Sequence, residues 1–212
     1  MPTYRTVRSA LTVAALSGTL TLGLTSAANA VPPNIPDTDT AKNQLSELTV
    51  QPDGSMDGYD RDKFPHWSPA DGSCDTRETV LKRDGDGVQV GDDCYPTSGS
   101  WTSAYDGGTW TDPSDVDIDH MVPLANAWRT GASAWTTDKR EQFANDLSDP
   151  QLIAVTDDVN QEKGDQSPDL WKPPEQGYWC DYSKSWIAVK HKWQLTINEA
   201  EKGGLEEMLG TC

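Results

Sequence analysis

Four cysteines behind an export leader do most to limit the folds open to this chain. Arg5 and Arg8 form a short basic region, an apolar stretch runs from about Ala10 to Leu24, and Ala28-Asn29-Ala30 precedes Val31-Pro32-Pro33. That layout is a secretory signal peptide over residues 1–30, with cleavage expected near Ala30. The apolar core is too short and too rich in Ser, Thr and Gly for a spanning helix. The expected location is therefore secreted, extracellular, with no membrane partner. In an oxidising compartment an even cysteine count implies disulfides. Cys74, Cys94, Cys180 and Cys212 allow three pairings. Cys74–Cys94 and Cys180–Cys212 each close a local loop and are the expected pairs, each stabilising the fold by about 3 kcal/mol. There is no C-x-x-C, which argues against a zinc ribbon.

Without the leader, 182 of the 212 residues remain, enough for one domain with a real core. Fifteen basic residues then face 34 acidic ones, a formal charge of −19. So acidic a surface repels phosphate on average, and any nucleic acid must be captured by local charge. Arg77, Lys82, Arg83, Arg129, Lys163 and Lys172 are expected to cluster on one rim for that purpose.

Val31 to about Pro52 is rich in Pro, Thr, Asp and Asn and reads as a linker or arm over residues 31–58, although Leu45, Leu48 and Val50 could dock it. The compact domain is expected over residues 59–212. Asp75 with Glu78 predicts a capping box and a short helix. Val88-Gln89-Val90 predicts a strand, and the turn-rich stretch from Ser98 to Asp115 a hairpin or long loop. Val116 to Val122 alternates strictly, so Asp117 and Asp119 share one strand face and His120 lies on the other. Leu124 to Arg129 predicts a helix ended by Gly131. Asp138 with Glu141 predicts a second capping box, opening a helix through Phe143 and Leu147. Leu152 to Val155 is a strand candidate. Thr156 could cap a helix through Asn160 and Lys163 that ends at Gly164. Trp186, Val189, Trp193, Ile197 and Ala200 have helical spacing and predict the main core helix.

The chemistry concentrates in Asp117-Ile118-Asp119-His120-Met121-Val122-Pro123 and, about forty residues later, Asp158-Val159-Asn160-Gln161-Glu162-Lys163-Gly164. Phosphodiester hydrolysis needs an activated water, a Lewis acid on the phosphate, and help for the leaving oxygen. A histidine suits the first task near neutral pH. A carboxylate and an amide oxygen suit a hard ion such as Mg²⁺. Adjacent strand residues point apart, so Asp119 and His120 can converge only where the strand twists, bulges or ends.

Asp-His-x-x-Pro with a later Asn-x-x-Lys-Gly resembles the HNH nucleases. In particular it is similar to an exported actinobacterial HNH endonuclease family related to the C-terminal domain of GmrSD-type restriction enzymes. Asp-x-Asp-His-x-Val-Pro also resembles the HNH domain of CRISPR effector nucleases. The resemblance spans roughly Asp75 to Trp193, most clearly at Asp117–Pro123, Asn145-Asp146-Leu147 and Asn160–Trp171. It implies an α+β fold with a ββα-metal (HNH, His-Me finger) core, and cleavage of DNA, or RNA, to 5′-phosphate and 3′-hydroxyl ends. Asp119 and Asn160 would be the ligands of one divalent metal, Mg²⁺ first, with Mn²⁺ or Ca²⁺ as alternatives. His120 would be the general base, Asn145 would orient the base and its loop, and Lys163 would approach the phosphate. Asp117 supports the strand as an acceptor behind the ligands, and Arg77 is a candidate for stabilising charge on the phosphate. The third motif position is asparagine rather than the histidine of the family's name, which argues against a zinc-preferring site. The expected protein acts as a monomer.

Two rivals remain on the sequence. Asp115-x-Asp117-x-Asp119 has the opening rhythm of an EF-hand loop, but His120 stands at the glycine position and Asn126 at the closing glutamate. With the tryptophans, it motivates a calcium-stabilised glycan-binding module. A glycosidase with paired carboxylates is the other, weakly signalled because so many acids make pairs inevitable.

Overall fold

The computed structural model describes residues 1–3 and 30–212. Almost all of the expected leader, including Arg5, Arg8 and the apolar stretch, lies outside the described residues. Ala30 is buried, and its N–H donates to Thr102 O at 3.1 Å.

The stretch read as a linker is part of the packed domain. Helix α1 (Thr38–Glu47) is capped by Asp37, whose Oδ1 accepts from Thr40 N at 2.8 Å. Ala41, Leu45 and Leu48 are buried in the main core, and Val50 bridges Ile197 in parallel. The polar composition of this stretch reflects the outer face of the helix. Only three apolar positions are needed to dock a short helix on a larger surface.

Next come a one-turn helix at Arg61–Lys63 and the strand pair β1 (Pro69–Asp71) and β2 (Cys74–Asp75). Helix α2 (Thr76–Asp84) begins with the expected capping box, with Asp75 Oδ1 accepting from Glu78 N and Glu78 Oε2 accepting from Asp75 N. Strands β3 (Asp86–Val90), β4 (Pro96–Thr102) and β5 (Thr109–Trp110) form an antiparallel sheet, so the turn-rich stretch contains a hairpin.

Strand β6 (Val116–His120) runs into helix α3 (Leu124–Arg129) and then α4 (Thr137–Ala144). Strand β7 (Leu152–Thr156) pairs antiparallel with β6 in unbroken register, Val116 opposite Thr156 and His120 opposite Leu152. Helix α5 (Asp157–Lys163) follows directly and ends at Gly164, whose φ of +52° suits a residue without a Cβ. Helices α6 (Trp179–Trp193) and α7 (Glu199–Leu209) complete the chain. The whole is a mixed α/β domain with disulfides Cys74–Cys94 and Cys180–Cys212.

Three local expectations shift. Helix α4 is capped by Thr136, which accepts from Lys139 N at 3.2 Å, not by Asp138; it ends before Asn145, leaving Leu147 outside. Thr156 precedes α5 without capping it, because its hydroxyl bonds Asp106 and accepts from Trp110 Nε1. The apolar stripe from Trp186 to Ala200 is not one helix. Gln194 turns left-handed after Trp193, and Ile197 lies in the connection, where it bonds the strand-like segment at Val50. Apolar periodicity could not separate the two because both halves bury into the same core.

The β6–β7 pair is covered on both sides. Val80, Leu81, Trp101, Val116, Ile118, Leu152 and Ala154 form a small cluster beneath α2. The larger core lies on the other face, among α1, α3, α4, α6 and α7. A Leu45→Ala substitution should therefore lower stability by about 2–4 kcal/mol in a denaturant melt. A change within about 0.5 kcal/mol, the range of a solvated arm, would show that α1 does not dock.

Candidate functional site

A cleft of about 270 Å³ opens where β6 ends, lined by Tyr59, Arg61, Asp119, His120, Asn160 and Asp165 among others. Three of the sequence-nominated residues thus share one cavity. Asp119 and His120 reach it together because His120 is the last residue of β6 and the chain turns immediately toward Pro123. The β6–β7 register stays regular, so strand termination, not a bulge, brings the neighbours together.

His120 is buried, and its Nε2 lies 2.9 Å from Ala144 O. A carbonyl can only accept, so Nε2 carries the hydrogen and the lone pair of the neutral ring sits on Nδ1. Trp67 stacks on the ring, with centroids 5.6 Å apart. Burial lowers the His120 pKa from 6.5 to about 3, and the Ala144 carbonyl opposes that only in part. Trp67 itself has φ +60°, which costs a non-glycine residue about 1–3 kcal/mol.

Asn145 holds that strained segment. Its Nδ2 donates to Pro65 O at 2.9 Å and Glu141 O at 2.8 Å, and its Oδ1 accepts from Ser68 N at 2.9 Å. It does not line the cleft; it fastens the loop that carries Trp67 to the end of α4.

Asp119 is buried beneath the cleft. Its Oδ1 accepts from Lys163 Nζ at 2.9 Å and its Oδ2 from the Tyr105 hydroxyl at 2.6 Å. Burial pushes the Asp119 pKa up, opposed by the Lys163 charge, and pushes the Lys163 pKa down, opposed by the Asp119 charge. Each carboxylate oxygen has a second lone pair, so Asp119 keeps acceptor capacity. Asn160 stands on α5 and donates from Nδ2 to Asp117 Oδ2 at 3.0 Å. A carboxylate accepts only, so this bond orients the amide. No side chain among the described residues donates to Asn160 Oδ1. The Asp117 pKa is raised, by burial first and against the Asn160 bond, with Asp157 adding to the rise.

These donors fit a hard cation: one carboxylate and one amide oxygen, with waters or phosphate oxygens for the remainder. No group of three or more His, Cys, Asp and Glu side chains with metal-holding geometry exists among the described residues.

Other expectations fail. Lys163 cannot approach a phosphate, because its side chain has no solvent exposure and its Nζ is committed to Asp119 and His120 O. Arg77 does not reach the cleft; its guanidinium donates to Val116 O at 2.9 Å and Pro113 O at 3.3 Å, at the far end of β6. None of the six cations expected to form a basic rim, Arg77, Lys82, Arg83, Arg129, Lys163 and Lys172, lines the cleft. Arg83 pairs with Asp84, Arg129 with Asp53 and Asp165, and Lys172 with Glu207. The EF-hand reading also loses its loop, since Asp117 and Asp119 lie on a paired strand. Sequence reasoning missed Tyr59, Arg61, Tyr105 and Asp165. Only Asp165, directly after Lys163-Gly164, carried a local signal.

Residues 86–208 match the family described as GmrSD restriction endonucleases, C-terminal domain, which is more than half of the chain. The chain belongs to that family. Membership suggests a nuclease-like function, and the matched region holds β6, β7, α5 and every cleft residue named above except Tyr59 and Arg61. A protein of Arthroderma benhamiae named "Uncharacterized secreted protein" is 59% identical over 210 residues, covering 99% of this chain and 98% of that protein. That relative is fungal, and no actinobacterial relative supports the narrower resemblance. No solved structure matches the chain. No helix among the described residues is long and apolar enough to cross a membrane.

Two outcomes are expected. Lys163→Met should lower stability by about 3–5 kcal/mol by stranding a buried carboxylate, measured by chemical denaturation; a folded, equally stable variant would refute the buried pair. The His120 ring should stay neutral by NMR throughout the region where an ordinary imidazole protonates, near pH 6.5. Because the unfolded ring binds the proton and the folded ring does not, stability falls as pH drops from about 6.5 towards about 3. A midpoint near 6.5 in the folded protein would mean the ring is solvated.

Proposed function

We propose that this protein is a secreted endonuclease of the HNH type, hydrolysing phosphodiester bonds of DNA, and of RNA by the same chemistry, with low sequence specificity. The observation that carries the reading is the shared cleft. It brings together the neutral imidazole of His120, whose Nε2 is bonded to Ala144 O, the Asp119 carboxylate, and the Asn160 amide, whose oxygen has no side-chain donor among the described residues. Family membership supports the reaction class. The leader-like N-terminus and the secreted relative support export.

In this reading Asp119 and Asn160 would hold one divalent cation, Mg²⁺ first, which would supply Lewis-acid stabilisation of the charge that develops on the phosphate and leaving group. His120 Nδ1 takes a proton from water as the water oxygen forms its bond to phosphorus. The bond from phosphorus to the 3′-oxygen breaks, the departing oxygen takes a proton from solvent water and the imidazolium later returns its own to solvent, leaving 5′-phosphate and 3′-hydroxyl ends. Burial alone makes His120 a weak base. A phosphodiester anion entering the cleft favours the imidazolium and so offsets part of the opposing charge of the cation and Arg61. The Nε2–H···O bond to Ala144 keeps Nδ1 as the accepting atom throughout. Asp117 and Asn145 act by position, one orienting the Asn160 amide and the other fastening the loop behind the imidazole. No separate module for reading base sequence is visible among the described residues, in keeping with broad specificity.

Incubation of the pure protein with plasmid and Mg²⁺, with and without EDTA, tests the reading. Cleavage should require the metal. His120→Ala should lower kcat by about 10²–10⁴ with the fold intact. Asn160→Ala should shift the metal titration to higher concentration. Plasmid left whole by the wild-type protein in every divalent metal would overturn the assignment and return the calcium-stabilised glycan-binding module to first place.

A further inference from the structure

We propose that Arg61 is the phosphate-binding cation of the cleft, supplied by a segment that precedes the family-matched part of the chain. The inference rests on the nuclease reading for its substrate but has its own physical basis. Of the described residues lining the cleft, Arg61 is the one with a permanently cationic side chain. Its guanidinium makes no ion pair and no hydrogen bond among the described residues, and the residue is exposed. It lies close enough to Asp119 and His120 for its charge to lower the pKa of both.

The other candidate cations are committed elsewhere. Lys163 is sealed beneath Asp119, Arg129 is held by Asp53 at 3.1 Å and Asp165 at 2.6 Å, and Arg77 bonds backbone carbonyls. The surrounding chain carries a formal charge of −17. A polyanion meeting that field needs a local cation in the cleft, and a guanidinium matches two phosphate oxygens through parallel N–H donors.

The structure also explains how an exposed arginine is aimed. Asp60 caps the one-turn helix by accepting from Asp62 N at 2.9 Å. Phe64, just beyond, is fully buried against Phe143 and Trp128. Arg140 donates to Lys63 O at 2.8 Å, and Tyr59 packs edge-on against Trp128. The backbone under Arg61 is thus fastened on both sides while its side chain is free. That is how a group that must meet substrate should be mounted.

The test is binding of a fluorescent single-stranded oligonucleotide in EDTA, where no metal-dependent cleavage occurs, read by anisotropy across a salt series. Arg61→Ala should weaken binding about tenfold and reduce the slope of log K against log salt by about 0.7. Its thermal midpoint should stay at the wild-type value. Arg61→Lys should restore most of the salt slope and part of the affinity. Lys42→Ala, an exposed charge on α1, should change neither. Equal affinity and slope for wild type and Arg61→Ala would overturn the proposal, as would wild-type protein that fails to bind at low salt. Arg61-dependent binding without cleavage in any metal would refute the hydrolase reading while keeping Arg61 as the phosphate contact.

Discussion

The buried ion pair between Asp119 and Lys163 is the contact on which the site depends. Taking each charge out of water costs several kcal/mol, so the pair persists only because every partner is in place. Lys163 Nζ also donates to His120 O, and the Tyr105 hydroxyl donates to the other oxygen of Asp119. The bond ties the end of β6 to the last turn of α5. Asn160 lies three residues before Lys163 on the same helix face, and His120 follows Asp119 in the chain. Fixing one pair therefore fixes the positions of all three cleft residues. The lysine that looks like a substrate contact in the motif is what holds the motif together.

Trp186 connects this pair to a second buried network. Lys163 Nζ sits 5.9 Å from the Trp186 ring centroid and Lys190 Nζ 5.8 Å from it. Lys190 bonds Asn126 Oδ1 at 2.6 Å and pairs with Glu201, which also accepts from Trp186 Nε1. The core thus links α3, α6 and α7 to the strand end through polar groups as well as apolar packing. Such networks favour one arrangement because each bond depends on its neighbours, although Glu201 Oε2 is buried without a partner among the described residues. The Cys180–Cys212 bridge closes the tail against α6, and the Cys74–Cys94 bridge closes the loop containing α2 and β3.

The charge distribution follows a similar economy. Cations are scarce in this acidic chain, and most of those near the cleft are used to neutralise carboxylates or cap carbonyls. Asn145 shows the same division of labour in neutral form: all three of its bonds go to backbone, and its effect on His120 passes through Trp67 and the Pro65–Ser68 loop.

By itself the sequence determined the local pieces. The alternation from Val116 to Val122, the capping box at Asp75, the stop at Gly164 and the local disulfide pairs all depend on residues close in the chain, where spacing and side-chain chemistry are sufficient. Asp119, His120 and Asn160 were legible for the same reason, each lying in a short, recognisable run. Tertiary structure alone decided how cationic side chains were assigned. Lys163 and Arg61 look alike in one dimension, and burial beside a carboxylate or freedom in a cleft is set by distant partners. The same holds for α1, whose polar surface hid three docking residues, and for the break after Trp193, where two helices share one core. Pairwise energies across long loops depend on which surfaces finally meet, and no local pattern encodes that.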